Sequence, residues 1–273
     1  MENEIKEIYL SEQERLRKTE GFTTGFSDLD IFCRFVEPGN ILTIGGRPAM
    51  GKTAFSMSLV NHLLEKGKSV LYFSPGVSKP KVIQRIVSEK IGVPLFTLVN
   101  GKVREEELNI VLNSYENKKI EIVDKINLTI DDFEEKVKEL QPEVVFVNYV
   151  QLLKMPKAPN LTEATNLAIS EIKRIAVENN VVVVLLSQLS RSVEARCEKR
   201  PILSDLRNGS MLEELSDVIM MLYRDSYYNC QDDEDLPEYN EIRVIKNSTG
   251  PTGAAYLDFK NGFFRNRAIS NEF

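Results

Sequence analysis

The chain has 273 residues, 42% hydrophobic and 28% charged, with a formal net charge of −6, which is enough for one large α/β domain with a substantial core. The acidic balance argues against a general nucleic-acid coat protein, but not against a ring whose pore touches a strand locally. No apolar run approaches the roughly 20 residues of a membrane span, the charged opening Met1-Glu2-Asn3-Glu4-Ile5-Lys6-Glu7 is unlike a signal peptide, and three widely spaced cysteines, odd in number, suit a reducing compartment, so a cytoplasmic location is expected.

Residues 1 to about 18 read as an amphipathic helix with Ile5, Ile8, Tyr9 and Leu16 near one face. So short a helix needs a surface to pack on, either its own domain or a neighbouring subunit. From Gly21 onward strands and helices alternate. The pattern predicts strands at 41–45, 69–74, 119–123, 143–148, 181–187, 217–223, 241–246 and 254–259, and helices at 52–66, 78–91, 103–117, 130–140 and 163–179. Thr129-Ile130-Asp131-Asp132 carries an acid three residues after a hydroxyl, the mark of a capped helix start. Val181 to Leu186 is apolar on both faces, as a central parallel strand requires. The last two strands, joined through Gly250-Pro251-Thr252-Gly253, read as a terminal hairpin. The expected fold is therefore α/β, a mostly parallel sheet wrapped by helices with antiparallel strands at its C-terminal end.

Gly46-Arg47-Pro48-Ala49-Met50-Gly51-Lys52-Thr53 fits the phosphate-loop pattern G-x-x-x-x-G-K-[ST], between an apolar strand and a helix. Amides at the helix start would cradle phosphates, Lys52 would reach the β- and γ-phosphates, and the Thr53 hydroxyl would take a place on Mg²⁺. The expected cofactors are ATP and Mg²⁺. The three cysteines, Cys33, Cys197 and Cys230, form no metal or redox pattern. The lone His62 reads as a helix-surface residue, and Asp232-Asp233-Glu234-Asp235, like Lys154 and Lys157, as solvated loop.

The order of motifs is similar to the C-terminal motor domain of DnaB-type replicative helicases, a hexameric branch of the RecA fold. The resembling segments are Thr24-Gly25-Phe26-Ser27-Asp28-Leu29-Asp30, Gly46 through Ala54, Asn148-Tyr149-Val150-Gln151-Leu152, Leu186-Ser187-Gln188-Leu189-Ser190-Arg191, Arg200-Pro201 with Ser204-Asp205-Leu206-Arg207, Leu222-Tyr223-Arg224-Asp225, and Gly250-Pro251-Thr252-Gly253. The resemblance implies a linker-like helix at 1–20 and a RecA-like motor domain at 21–273. It implies Gln188 as a γ-phosphate sensor, Lys246 as a lysine acting on a neighbour's site, and Arg207, Asn208 and Gly209 as contacts to single-stranded DNA. Arg207 pairing with Asp205 is the plainer alternative. The implied partners are further copies in a ring, single-stranded DNA, and a true replicative helicase or other replication proteins. The family usually carries an N-terminal domain that binds primase, and here only the linker-like segment is seen.

Three places depart from the pattern. Gly76 stands where the family has its catalytic glutamate, Asn148 where it has the aspartate behind Mg²⁺, and Ser248 where it has the arginine acting on a neighbour's site. An acid–base group contributes roughly 10²–10⁴-fold in rate and an arginine finger about 10³–10⁵-fold. The groups that grip the ground-state nucleotide are all present. Binding is therefore expected to survive better than hydrolysis. The alternatives are an active helicase with rearranged or partner-supplied catalytic groups, and a nucleotide-gated module without DNA.

Overall fold

A computed structural model describes residues 5–7, 9–11, 22–34, 36–206, 210–228 and 240–267. Residues 5–7 and 9–11 are helical and exposed. The rest of the expected linker helix lies outside the described residues, as do Cys230 and the acidic cluster at 232–235.

A nine-stranded sheet organises the chain. In chain order the elements are α1 (Ser27–Cys33), β1 (Ile41–Gly46), α2 (Lys52–Glu65), β2 (Val70–Phe73), α3 (Lys79–Ile91), α4 (Leu95–Val99), α5 (Glu105–Asn113), β3 (Ile120–Val123), α6 (Ile130–Leu140), β4 (Val144–Asn148), α7 (Leu161–Glu178), β5 (Val182–Gln188), α8 (Ser210–Leu215), β6 (Val218–Arg224), α9 (Asp225–Tyr228), β7 (Asn240–Asn247), β8 (Gly253–Lys260) and β9 (Phe263–Asn266). Strand order is β3-β2-β4-β5-β1-β6-β7-β8-β9. The first six of these pair in parallel, and the last three strands are added antiparallel.

Every strand and helix expected from Gly21 onward is present, with shifted ends. The period-two pattern of the strands explains the two-layer cover. In β5, Val182, Val184 and Leu186 join one core with Phe55 and Leu59 of α2 and Val82 and Ile86 of α3. Val183 and Leu185 join the other, with Phe133 and Val137 of α6 and Ile169, Ile172 and Ile175 of α7. Successive side chains of a strand point to opposite faces, so an unbroken apolar run needs helices on both sides. Helix α6 starts as its sequence predicts: the Thr129 hydroxyl accepts from the Asp132 amide at 3.1 Å, and the Asp132 carboxylate accepts from the Thr129 amide at 3.0 Å.

Strand β9 was not expected from the sequence. Asn261 and Gly262 both have positive φ, 57° and 86°, which makes the two-residue hairpin turn that Asn-Gly favours. The strand it returns carries Phe264 edge-on against Phe55 of α2, with centroids 5.6 Å apart. It also carries Arg265, whose guanidinium pairs with the buried Glu89 of α3. Glu89 further accepts from Ser58 at 3.1 Å and from Asn61 of α2. Arg265→Ala should therefore leave a buried carboxylate without its cation and cost about 3 kcal/mol of stability. Urea unfolding checks this, and Glu89→Gln in the same background should recover most of the loss.

His62 corrects the reading of a helix-surface residue. It is half-buried, and its Nε2 lies 2.8 Å from the Thr23 hydroxyl. Burial lowers its pKa, with Asp30 opposing that effect and Lys66 adding to it. It fastens the segment before α1 to α2. Among the described residues no helix is long and apolar enough to cross a membrane.

Candidate functional site

Strands β1, β2, β4 and β5 run in one direction, so their carboxyl ends share one edge of the sheet. That edge is where open α/β sheets hold ligands. It brings together the loop Gly46–Thr53 after β1, Gly76 after β2, Asn148 at the end of β4 and Gln188 at the end of β5.

The loop turns sharply onto α2. Ala49 and Gly51 have φ of 66° and 89°. At Gly51 a side chain is excluded twice: by the left-handed backbone, and because a Cβ would lie 2.9 Å from the Phe264 ring. The first turn of α2 carries no acidic residue, so the positive end of its dipole is uncompensated by the helix itself. Lys52 Nζ donates to the carbonyl oxygens of Gly46 (2.6 Å) and Arg47 (3.0 Å). Pro48 and Met50 complete the turn, Met50 fully buried. Burial, and then the charge of Arg47, pushes the Lys52 pKa down to about 8. A buried ammonium folded back on loop carbonyls, beside a second cation, is a setting that an anion would stabilise. The donor set thus fits a triphosphate.

This depression fixes a pH dependence. An unfolded lysine titrates near about 10.4. Between about pH 8 and about pH 10.4 the unfolded chain holds the extra proton, so ligand-free stability contributed by this group rises with pH. Wild type is expected to gain stability relative to Lys52→Met between pH 8 and pH 10, read by chemical unfolding at each pH; an unchanged difference would contradict the assignment.

Around the loop, Arg47 donates from Nε to Glu194 at 2.8 Å and from Nη1 to the Leu189 carbonyl at 3.0 Å. The Tyr228 hydroxyl donates to the same Glu194 at 3.2 Å. Arg224, at the end of β6, donates to the Ala49 carbonyl at 3.3 Å and stacks over the Phe259 ring at 3.9 Å. Arg224 lies in a resembling segment, but only the sheet order reveals that it reaches the loop. Glu194, Tyr228 and Phe259 carried no sequence signal.

Asn148 is buried, and its Nδ2 lies 3.4 Å from the Thr53 hydroxyl. The Asn148–Tyr149 peptide is cis. Thr53 and a neutral amide would leave Mg²⁺ to be held chiefly by phosphate oxygens and water, which this ion accepts. Among the described residues no cluster of three His, Cys, Asp or Glu side chains could hold a metal. Gly76 is exposed and has no carboxylate beside it; a Cβ there would lie 2.5 Å from Leu152 Cδ1. Gln151 clips β4 to β5, donating to the Ser187 hydroxyl at 2.8 Å and accepting from the Gln188 amide at 3.2 Å. Gln188 is thereby held at the edge of the loop, where the Leu189 amide donates to the Gly46 carbonyl at 3.4 Å.

Lys246 and Ser248 are not brought to this edge. Strand β7 runs antiparallel to β6, so its end lies beside the start of β6, and the Ser248 amide donates to the Asp217 carbonyl at 2.8 Å. Lys246 Nζ donates to the Glu213 and Glu214 carbonyls at 2.7 and 2.8 Å, capping α8. Arg207, Asn208 and Gly209 lie outside the described residues. The pairing of Arg207 with Asp205 meets a competitor. Both Asp205 oxygens already take Arg196, at 2.7 and 2.8 Å, and one also takes the Ile202 amide.

Comparison with known proteins follows the same lines. The profile of the DnaB-like helicase C-terminal domain family matches residues 21–267. The chain is 36% identical over 252 residues to a probable replicative DNA helicase of Trieres chinensis, covering 88% of this chain and 55% of that protein. It is 33% identical over 281 residues to the replicative DNA helicase DnaB of Haemophilus influenzae, covering 97% of this chain and 59% of that one. It thus spans little more than half the length of either relative. A solved ATPase domain superposes with a TM-score of 0.88 at 29% identity, covering 97% of this chain and 99% of that one. A DnaB-like replicative helicase, solved in a study of its interactions with primase, superposes with a TM-score of 0.87 at 29% identity, covering 98% of this chain and 67% of that one.

Proposed function

Because the chain belongs to the DnaB-like helicase C-terminal domain family, we propose that it holds ATP and Mg²⁺ at Gly46–Thr53, assembles with copies of itself around single-stranded DNA, and hydrolyses the nucleotide slowly or not at all. In this reading residues 1–20 are a linker and 21–273 the motor domain. The observation that carries it is the contrast at one edge of the sheet. The binding half is cationic and built, with Lys52 and Arg47 on the loop. The reacting half is neutral, with Asn148 at Thr53 and Gly76 against Leu152. Thr53 would hold the ion, Lys52 and the loop amides the phosphates, and Gln188 would meet the terminal phosphate. The Arg224–Phe259 stack beside Ala49 supports a place for the base. When bound, Mg²⁺ would neutralise the phosphate oxygens.

Nucleotide affinity and phosphate release measured on one sample test this reading. Tight binding without turnover supports it, and turnover of several per second that Lys52→Ala abolishes would sink it. Binding to oligonucleotides should weaken with salt, through Arg207 and the amides of Asn208 and Gly209; no salt-dependent binding under any nucleotide condition would favour a module without DNA. Light scattering with and without nucleotide tests assembly. A second reading, an active helicase, draws on the location of Lys246 and Ser248 opposite the loop, since a site completed by a neighbour could take its missing groups from a true replicative helicase in a mixed ring.

A further inference from the structure

Helices α2 and α3 follow strands that run in the same direction in one sheet, so they lie side by side and point the same way. Their register is fixed by the 3.1 Å bond from Ser58 to Glu89. One turn toward the amino ends, about 3.6 residues, leads from Ser58 to Ala54, next to Thr53, and from Glu89 to Arg85. Arg85 is thus level with the first turn of the phosphate-binding helix.

Among the described residues its hydrogen-bonding capacity is not filled. Arg85 Nε is buried and has no hydrogen-bond partner among the described residues. The nearest acid along α3, Glu89, is already bonded to Ser58, Asn61 and Arg265. Gly76, at the loop leading into α3, supplies no carboxylate. A second line of contact runs to the same place. The Tyr72 hydroxyl shares a 3.0 Å hydrogen bond with Ser56 of α2, whose first turn carries Thr53, 3.4 Å from Asn148. Burial raises the pKa of that hydroxyl, and the charge of Arg85 acts in the opposite direction. A part-buried guanidinium whose Nε finds no partner among the described residues is costly, and beside a phosphate loop the partner that fits is an anion.

We infer that Arg85 is a same-chain cation for the terminal phosphate of the nucleoside triphosphate at Gly46–Thr53, letting this chain prefer the triphosphate over the diphosphate although Ser248 has replaced the arginine acting on a neighbour. The inference rests on the nucleotide-binding reading above. It makes Arg85 a binding residue, on a site whose reacting groups are absent.

The test compares a non-hydrolysable ATP analogue with ADP, each with Mg²⁺, by fluorescence titration of wild type, Arg85→Gln and Arg85→Lys. Arg85→Gln is expected to weaken the triphosphate analogue about 10- to 100-fold, the scale of one charge-assisted hydrogen bond, and to change ADP less than about threefold. Arg85→Lys should fall between. Equal losses for both nucleotides, or no loss for either, would overturn the assignment while leaving the nucleotide reading intact; wild type that binds neither would remove both. Should Arg85→Gln unfold, the triphosphate-to-diphosphate ratio of Arg85→Lys decides, since a purely structural role would not move that ratio.

Discussion

Replacing Gly76, Asn148 and Ser248 together by glutamate, aspartate and arginine is expected to raise phosphate release by at least about 10³-fold over wild type, on the scale of a restored acid–base group and arginine finger. Such groups act as a unit, so each single replacement should give far less than its share. The structure allows all three. Gly76 does not have a positive φ, so a side chain is accepted by the backbone, and the atom in its way is the end of the half-buried Leu152 side chain, free to swing aside. Asn148→Asp keeps the shape of the side chain 3.4 Å from the Thr53 hydroxyl and adds a negative charge that would favour Mg²⁺ there. Ser248 is exposed at the opposite edge of the sheet, so its arginine would act only between copies. The gain should therefore rise with protein concentration as copies assemble. The measurement is phosphate release with and without single-stranded DNA; a triple variant no faster than wild type would contradict the proposal that these three positions limit turnover.

Lys52→Ala should weaken ATP binding by at least about 100-fold, because the ammonium is the only positive side chain on the helix start and a charge-assisted contact to phosphate is worth about 1.5–3 kcal/mol before neighbouring effects. Folding should suffer little. In the ligand-free chain Lys52 is penalised by burial and by Arg47 and bonds only to loop carbonyls. Its removal relieves a cost, so the variant should unfold at no lower denaturant concentration than wild type. Titration with a fluorescent nucleotide and urea unfolding together separate a lost ligand from a lost fold. A large fall in stability would mean that the loop is held together by Lys52, and that the loss of binding is a folding effect.

Much of the fold was legible because its signals are local. The apolar run Val181–Leu186 could only be a strand covered on both faces, and the two cores divide its residues alternately. Thr129 and Asp132 announced the start of α6 through side chains that bond to their own backbone. Strand β9 escaped because four residues carry little periodicity, although Asn261-Gly262 held the turn signal that could have found it. Helix α5 is shorter than its pattern and fully buries none of its residues, so nothing in the core extends it.

The candidate site divides in the same way. Sequence by itself determined the phosphate loop, since the loop is one contiguous segment whose turn, amides and lysine need only their immediate neighbours. It also determined which residue types stand at 76, 148 and 248. Tertiary structure alone decided that Asn148 meets Thr53, that Leu152 fills the space at Gly76, that Arg224, Glu194 and Phe259 crowd the loop, and that Lys246 and Ser248 lie at the far edge. The physical reason is strand direction: parallel strands gather distant segments at their carboxyl ends, and a single antiparallel turn from β6 to β7 sends the next segment to the other side.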